Sequence, residues 1–424
     1  VAYAEKRVST AKGSKGKVTW RARYKKPDGT WGSEPGFPTK KTAEQWGEEQ
    51  EAAIRAGRWV DPEGGRTLFG AWAREWMKAK SPRGRTVNTR WERLETHIFP
   101  RWEFIPLQEI NWFEVEAWAN KVAESHDDVT ATHCTTLMSM ILTGAVDAQK
   151  ILVNPIYGRR RSRSAVVKAK NQAKRAAKNK GKVAPPELLL RMARRAGPMD
   201  GLHILTVGFL GPRWGESLAL RRSSLGERRE PWGAKDFTCP VLHLVDEVAE
   251  YQLRDADGRK LGQFFGLEPL KTDGSLRDVD VPPFLWALLQ AHVTDRLAAK
   301  HEYLFCTRSG GWWRRSNFGR QVMRPVADGR AALPVSKGHR AREGWEPILP
   351  GMNMDLLRHT ADSLAEQIGV KAPLQFEQAG HIRSGIKAVY QHPTPEMRIE
   401  RLDGLEAVYR RAMANLGWES VWES

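Results

Sequence analysis

From Arg159 to Lys182 arginine and lysine follow one another closely, and no acidic residue appears before Glu187. Such a stretch cannot enter an apolar core, because each unpaired buried charge costs far more than its packing returns. It therefore splits the chain into an N-terminal and a C-terminal part that must each bury a core of their own. A charge run is usually a solvated linker. Its place between two globular parts also suits a strap laid across a phosphate backbone, through Arg159, Arg160, Arg161 and Arg163 first of all. At 424 residues the chain is long enough for two or three cores, so a multidomain protein is expected.

The formal net charge of +18 would attract polyanions, and the attraction to DNA would be salt-dependent because it works by releasing counterions. A ribosome-associated or merely basic soluble protein carries the same signature. Cys134, Cys239 and Cys306 are scattered and odd in number, which suggests neither a disulfide framework nor a metal-ligand cluster and fits a reducing cytosol. No apolar run approaches the roughly 20 residues that span a bilayer, and the polar N-terminus lacks the apolar stretch of a secretory signal. The expectation is a cytoplasmic protein.

Lys17 to Tyr24 alternate aromatic or β-branched with basic side chains and lead into the turn Pro27-Asp28-Gly29, as one arm of a hairpin does. The second arm begins near Trp31, and residues 42–56 read as a helix with Gly57 at its C-cap. This predicts a small α+β unit over 1–62, a three-stranded sheet plus a helix. Its Arg21, Arg23, Lys25 and Lys26 either lie in a DNA groove, as in β-sheet readers, or form a solvated basic face. From Thr67 the pattern turns helical. Leu68, Trp72 and Trp76 recur at i, i+4 and i+8 as a buried stripe, and further helices are expected near Val87–His97, Trp112–Ser125 and Thr130–Gln149. An all-helical domain over 66–156 follows, then the basic linker 157–185, then a globular part over 186–424.

In that last part Leu188–Ala196 and Leu202–Leu210 are apolar helical stretches. A Gly211-Pro212 break precedes Arg213-Trp214-Gly215-Glu216, where Arg213 and Glu216 share a helix face; the carboxylate either orients the guanidinium or forms an ordinary surface pair. A strand-like region from Pro240 to Gln263, turning at Asp255-Asp257-Gly258, leads to Lys271 on a turn between short strands. Asp355-Leu356-Leu357-Arg358-His359-Thr360 opens an amphipathic helix, and Gly380-His381 stands nine positions ahead of Tyr390. A phosphodiester in transfer needs a nucleophile, donors for its non-bridging oxygens and an acid for the leaving oxygen, and this ordered set of arginine, lysine, histidine and tyrosine holds all three.

With these motifs in order, the part from about Pro186 onward resembles the tyrosine recombinase family, and the three-part layout resembles a phage or integrative-element integrase of actinobacterial type. The resemblance implies a mainly α catalytic domain with a small β-sheet, an all-α core-site-binding domain and an arm-site-binding N-terminal domain. It makes Arg213 and Arg358 the catalytic arginines, Glu216 the acidic companion, Lys271 the acid of the β-turn, His381 the late histidine and Tyr390 the nucleophile. It further implies a 3′-phosphotyrosyl intermediate without cofactor, metal or ATP, and a Holliday junction resolved by a homotetramer on double-stranded DNA attachment sites. Host DNA-bending proteins and a directionality factor are the accessory partners it suggests. One position departs from the family. Three residues before the second arginine, histidine or lysine is usual, and this chain has Asp355. The carboxylate is expected to turn away and cap the Arg358 helix. Two other outcomes stay open: a DNA-binding protein on a recombinase fold with weakened catalysis, and a type IB topoisomerase.

Overall fold

The computed structural model describes residues 2–9, 16–80, 82–178, 183–271, 273–295, 301–335, 341–381 and 391–422. It divides into two compact units, one of residues 1–176 with 252–262 and one of 177–251 with 263–424.

The first unit begins with an antiparallel sheet in the order β1 (Tyr3–Val8), β2 (Val18–Lys25), β3 (Trp31–Phe37). Alternation along β2 turns Ala22 and Tyr24 inward, where the Tyr24 ring meets Trp46 edge-on at 5.5 Å. Gly32 sits opposite that ring, and a Cβ there would fall 2.4 Å from Tyr24 Cζ. Helix α1 (Lys40–Arg55) covers the sheet; Thr39 caps its start and Gly57, at φ +65°, follows its end. Lys26 pairs with Asp61 at 2.8 Å, Arg66 pairs with Glu34 at 2.6 Å, and the Asp61 N–H donates to the Gln149 carbonyl. These contacts tie the sheet to the helices that follow.

Those helices are α2 (Phe69–Ala79), α3 (Gly84–Arg93), α4 (Phe99–Trp102), α5 (Trp112–Ser125) and α6 (Asp128–Asp147). The expected tryptophan stripe forms with one change. Leu68 precedes α2 and is 39% exposed, and Phe69 takes the inward place beside Ala73 and Trp76. Helix α6 is long and apolar enough, by length and composition, to cross a membrane, contrary to the expectation that no stretch approaches that length. Its apolar residues Ala131, Cys134, Met138, Ile141 and Ala145 are buried in the core of the bundle, which accounts for its composition. Residues 252–262 join this unit through Arg254, which donates to Asn88 Oδ1 at 3.0 Å and to Glu95 Oε1 at 2.6 Å.

The basic run is not a plain solvated linker along its length. Residues Ala165–Lys178 form a helix, α7, whose Val167 is buried in the bundle core. Its alanine-rich, β-branch-poor composition suits a helix, and burial of Val167 adds to what isolated propensity supplies.

The second unit is built around α8 (Pro186–Ala196) and α9 (Pro198–Leu210), which is buried from Gly201 onward, with α10 (Trp214–Ala219) directly after. Strands β4 (Leu225–Trp232) and β5 (Lys235–Leu244) form a sheet with β8 (Arg277–Asp280) in the order β4-β5-β8, and β6 (Asp246–Arg254) pairs with β7 (Lys260–Pro269). Strand β4 and the first half of β5 precede the expected strand region. Their charged residues conceal them in the sequence, because Arg228 and Glu230 serve ion pairs, Arg228 reaching the buried Asp280 at 2.9 Å. Helices α11 (Pro283–Asp295), α12 (Arg315–Phe318), α13 (Arg324–Asp328), α14 (Met354–Gln367), α15 (Ala372–Ala379) and α16 (Pro395–Leu416) complete the unit. The tail after α16 packs on its own unit: Trp422 Nε1 donates to the Ala193 carbonyl, and the Arg194 guanidinium lies 3.3 Å from the Trp418 ring centre.

Candidate active site

Helix α9 ends at Gly211, whose φ of +73° is the left-handed conformation that glycine adopts freely, and the chain re-enters helix at Trp214. Arg213 is thereby placed as the N-cap of α10. Glu216, three residues on, reaches back: its Oε2 accepts the Arg213 backbone N–H at 2.8 Å and its Oε1 accepts from Arg213 Nη1 at 2.7 Å. The pair is no ordinary surface contact, since the Glu216 side chain is 1% exposed.

The same carboxylate is held from behind by Arg277, the first residue of β8, through contacts of 2.8 Å and 3.2 Å. Arg277 also donates to the carbonyls of Gln378 and Ser275. Burial works to raise the Glu216 pKa, but the hydrogen bonds and charges of Arg277 and Arg213 outweigh it, and the carboxyl is held below its ordinary value of 4.5. Arg277 was not among the residues the sequence singled out. A signal existed: strand alternation puts it on the same buried face as Val279, and a core-facing arginine implies a buried anionic partner.

Arg358 enters from α14. It donates to the carbonyls of Gly211 and, at 2.8 Å, Ala379, and its Nη2 lies 3.2 Å from His381 Nε2. Arg213 Nη2 reaches the neighbouring Gly380 carbonyl at 3.3 Å. Gly380 ends α15 in the left-handed region, at φ +64°, and packs face-on to Arg277, where a Cβ would fall 2.6 Å from Nη1. Burial, then the charge of Arg213, lowers the Arg358 pKa from its ordinary value, yet a guanidinium remains charged throughout the accessible range. Burial, followed by Arg358 and Arg213, pushes the His381 pKa below 6.5, so the imidazole is neutral at pH 7. Two guanidiniums and one imidazole from α10, α14 and the end of α15 thus meet around the carbonyls of 379 and 380. Such a cluster of fixed donors is an anion cradle suited to phosphoryl oxygens.

Residues 69–161 match the family model described as the phage integrase central domain. A prophage phiRv2 integrase of Mycobacterium tuberculosis is 24% identical over 378 residues, covering 88% of this chain and 88% of the relative. Over most of its length the chain is thus similar to a prophage integrase, and residues 69–161 match an integrase central domain. Among solved structures, the Tn1549 transposon integrase in complex with a circular intermediate DNA is similar in fold, with a TM-score of 0.50, 14% identity, and coverage of 81% of this chain and 99% of that one.

Of the residues expected to serve the recombinase, Arg213, Glu216, Arg358 and His381 are brought together. Lys271 is exposed, on the turn between β7 and β8, and makes no hydrogen bond to them among the described residues. The β8 strand that follows carries Arg277 into the cradle. Tyr390 lies outside the described residues. Asp355 is not the helix cap. Asn353 takes that role, its side chain accepting from the Leu356 N–H at 3.0 Å, because α14 begins two residues earlier than the expected start. Asp355 instead sits in the first turn, turned outward into an ion pair with Arg315.

The expected DNA-contacting cations divide in the same way. Lys25 is exposed, while Lys26 is paired with Asp61 and Arg23 lies 3.6 Å from Glu5; Arg21 is half-buried. Arg159 and Arg160 are exposed and line a cavity of about 490 Å³ with Thr132, Thr136 and Ser139. Arg161 and Arg163 are drawn to Asp128, and Arg161 also donates to the Ala119 carbonyl. These last two hold the basic run against the bundle.

Proposed function

We propose that the recombinase breaks and rejoins DNA at specific sites through a 3′-phosphotyrosyl intermediate, integrating and excising a phage or mobile element. The observation that carries this reading is the cradle itself, in which Arg213, Arg358 and His381 converge while backbone carbonyls and the buried Glu216 fix both guanidiniums. Donors fixed in advance of the reaction stabilise the charge that builds on a pentacoordinate phosphorus without reorganising when it forms. Tyr390 attacks the phosphorus, Lys271 protonates the departing 5′ oxygen, and the free 5′ hydroxyl of a partner strand later reverses the step. The phosphotyrosyl bond conserves the energy of the broken phosphodiester, so the cycle needs neither ATP nor metal.

Two rounds of exchange require a Holliday junction and four copies of the chain on paired sites. In this reading residues 66–156 bind core sites, 1–62 bind separate arm sites, and 157–185 follow the phosphate backbone between the helical and catalytic parts. A host DNA-bending protein and a directionality factor would set the direction, within the bacterial nucleoid. The test is recombination in vitro between the two attachment sites recovered from the chromosomal junctions that flank the gene. Joint products in the absence of ATP and divalent metal are expected; relaxation of single supercoiled plasmids without joint products would favour a topoisomerase instead.

A further inference from the structure

We propose that Arg315, held by Asp355, is a further phosphate-binding residue of the recombinase, and that the cleft it lines receives a DNA backbone phosphate adjacent to the one that is cleaved. The proposal rests on the recombinase reading for the identity of the anion. The cleft has a volume of about 620 Å³, and its lining includes Trp214, Arg315, Arg320, Arg324, Asn353 and Asp355. It borders the anion cradle at two points. Trp214 directly follows Arg213 in the chain, and Asp355 lies three residues before Arg358, one turn away on the same face of α14. An extended polyanion with one phosphate between Arg213 and Arg358 therefore has this cleft as its neighbour.

The cleft's charge suits that occupant. Arg320 and Arg324 are exposed and form no ion pair among the described residues. One of the two carboxylates in the lining, Asp328, accepts the Gly351 N–H, and the other, Asp355, is bound to Arg315. The Arg315–Asp355 pair is itself open to solvent, with side chains 57% and 62% exposed, so it contributes little to stability. It does fix the orientation of a planar group that has five donors. One carboxylate engages part of that fork and leaves the rest free for a second anion. Asp355 then acts through Arg315, and its negative charge faces the guanidinium instead of the scissile phosphate.

The experiment compares wild-type, Arg315→Ala, Arg315→Lys, Asp355→Ala and the double variant R315A/D355A. Each is assayed for single-turnover covalent adduct on a nicked core-site duplex and for the salt dependence of DNA binding. Arg315→Ala is expected to slow adduct formation by about tenfold and to reduce the salt slope by about 1, at unchanged melting temperature. Arg315→Lys should fall between it and wild type. Asp355→Ala should slow the reaction less, and the double variant should match Arg315→Ala because the aspartate works only through the arginine. An Arg315→Ala protein with wild-type rate and slope would overturn the proposal. So would an Asp355→Ala protein that reacts faster whether or not Arg315 is present. If wild type forms no adduct at all, the recombinase reading fails, and the salt slope alone still decides whether Arg315 holds a phosphate.

Discussion

Arg277 and Glu216 form an ion pair 2.8 Å long with side chains only 3% and 1% exposed, and through it the first residue of a strand sets the position of the Arg213 guanidinium on a helix. Removing one partner strands the other. Arg277→Met is expected to cost about 3–5 kcal/mol of folding stability, since an uncompensated charge is left in a buried place. Denaturant titration measures this, and a loss below about 1 kcal/mol would show the pair to be dispensable to the fold.

The same pair has a pH signature. The Glu216 carboxyl is held below 4.5 in the folded protein, so the unfolded chain binds its proton at higher pH than the folded one does. The stabilisation is complete above that ordinary value and is lost as pH falls through the folded one. Unfolding free energies measured across the acidic range should therefore decline more steeply for wild type than for Glu216→Gln, which should be less stable at neutral pH. Parallel curves would contradict the assignment.

Gly380→Ala combines two penalties. Its φ of +64° disfavours any residue with a Cβ, by about 1 kcal/mol, and the new methyl would press on Arg277 Nη1 from 2.6 Å. The expected outcome is a lower melting temperature with slower covalent adduct formation, because Arg213 and Arg358 both lean on carbonyls of this turn. A variant that melts lower yet cleaves normally would confine Gly380 to folding.

His381 should titrate below 6.5 in the free protein, as burial and the two arginines disfavour its cation. Nuclear magnetic resonance of the labelled imidazole reads this directly. Arg358→Ala should move the midpoint upward, toward the ordinary value, and an unmoved midpoint would place the ring away from that guanidinium.

The basic run should divide by residue. Replacing Arg159 and Arg160 with alanine is expected to weaken DNA binding for every sequence and to reduce the salt slope by about 2, with little change in melting temperature. Arg161→Ala should instead lower the melting temperature, having lost Asp128 and the Ala119 carbonyl. Equal behaviour of the two variants would mean that the run acts as one undifferentiated strap.

What could be read in the sequence was what sequence neighbours determine. Arg213 with Glu216, the Arg358 helix and the Gly380-His381 turn are each local, and glycine or helix spacing fixes how they point. Arg277 escaped because its partner is 61 residues away and pairing at that range leaves only an indirect mark, a charge on the inner face of a strand. Strand β4 was hidden for the related reason that its ion-paired residues look like surface. The cap was misplaced by two residues because Asn353 and Asp355 are both good capping residues within one turn, and only the backbone shows which of them stands at the helix start.

The central claim is that Tyr390 takes the DNA phosphate onto itself while the arginine cradle holds it. The direct measurement uses a nicked duplex carrying the core site, whose cleavage releases a short fragment and traps the attached chain, resolved on a denaturing gel. Wild type is expected to give a protein–DNA band joined at the 3′ phosphate, and Tyr390→Phe is expected to bind the same duplex with similar affinity and give no such band. A band that persists in Tyr390→Phe would contradict the account, because another nucleophile would then be doing the chemistry.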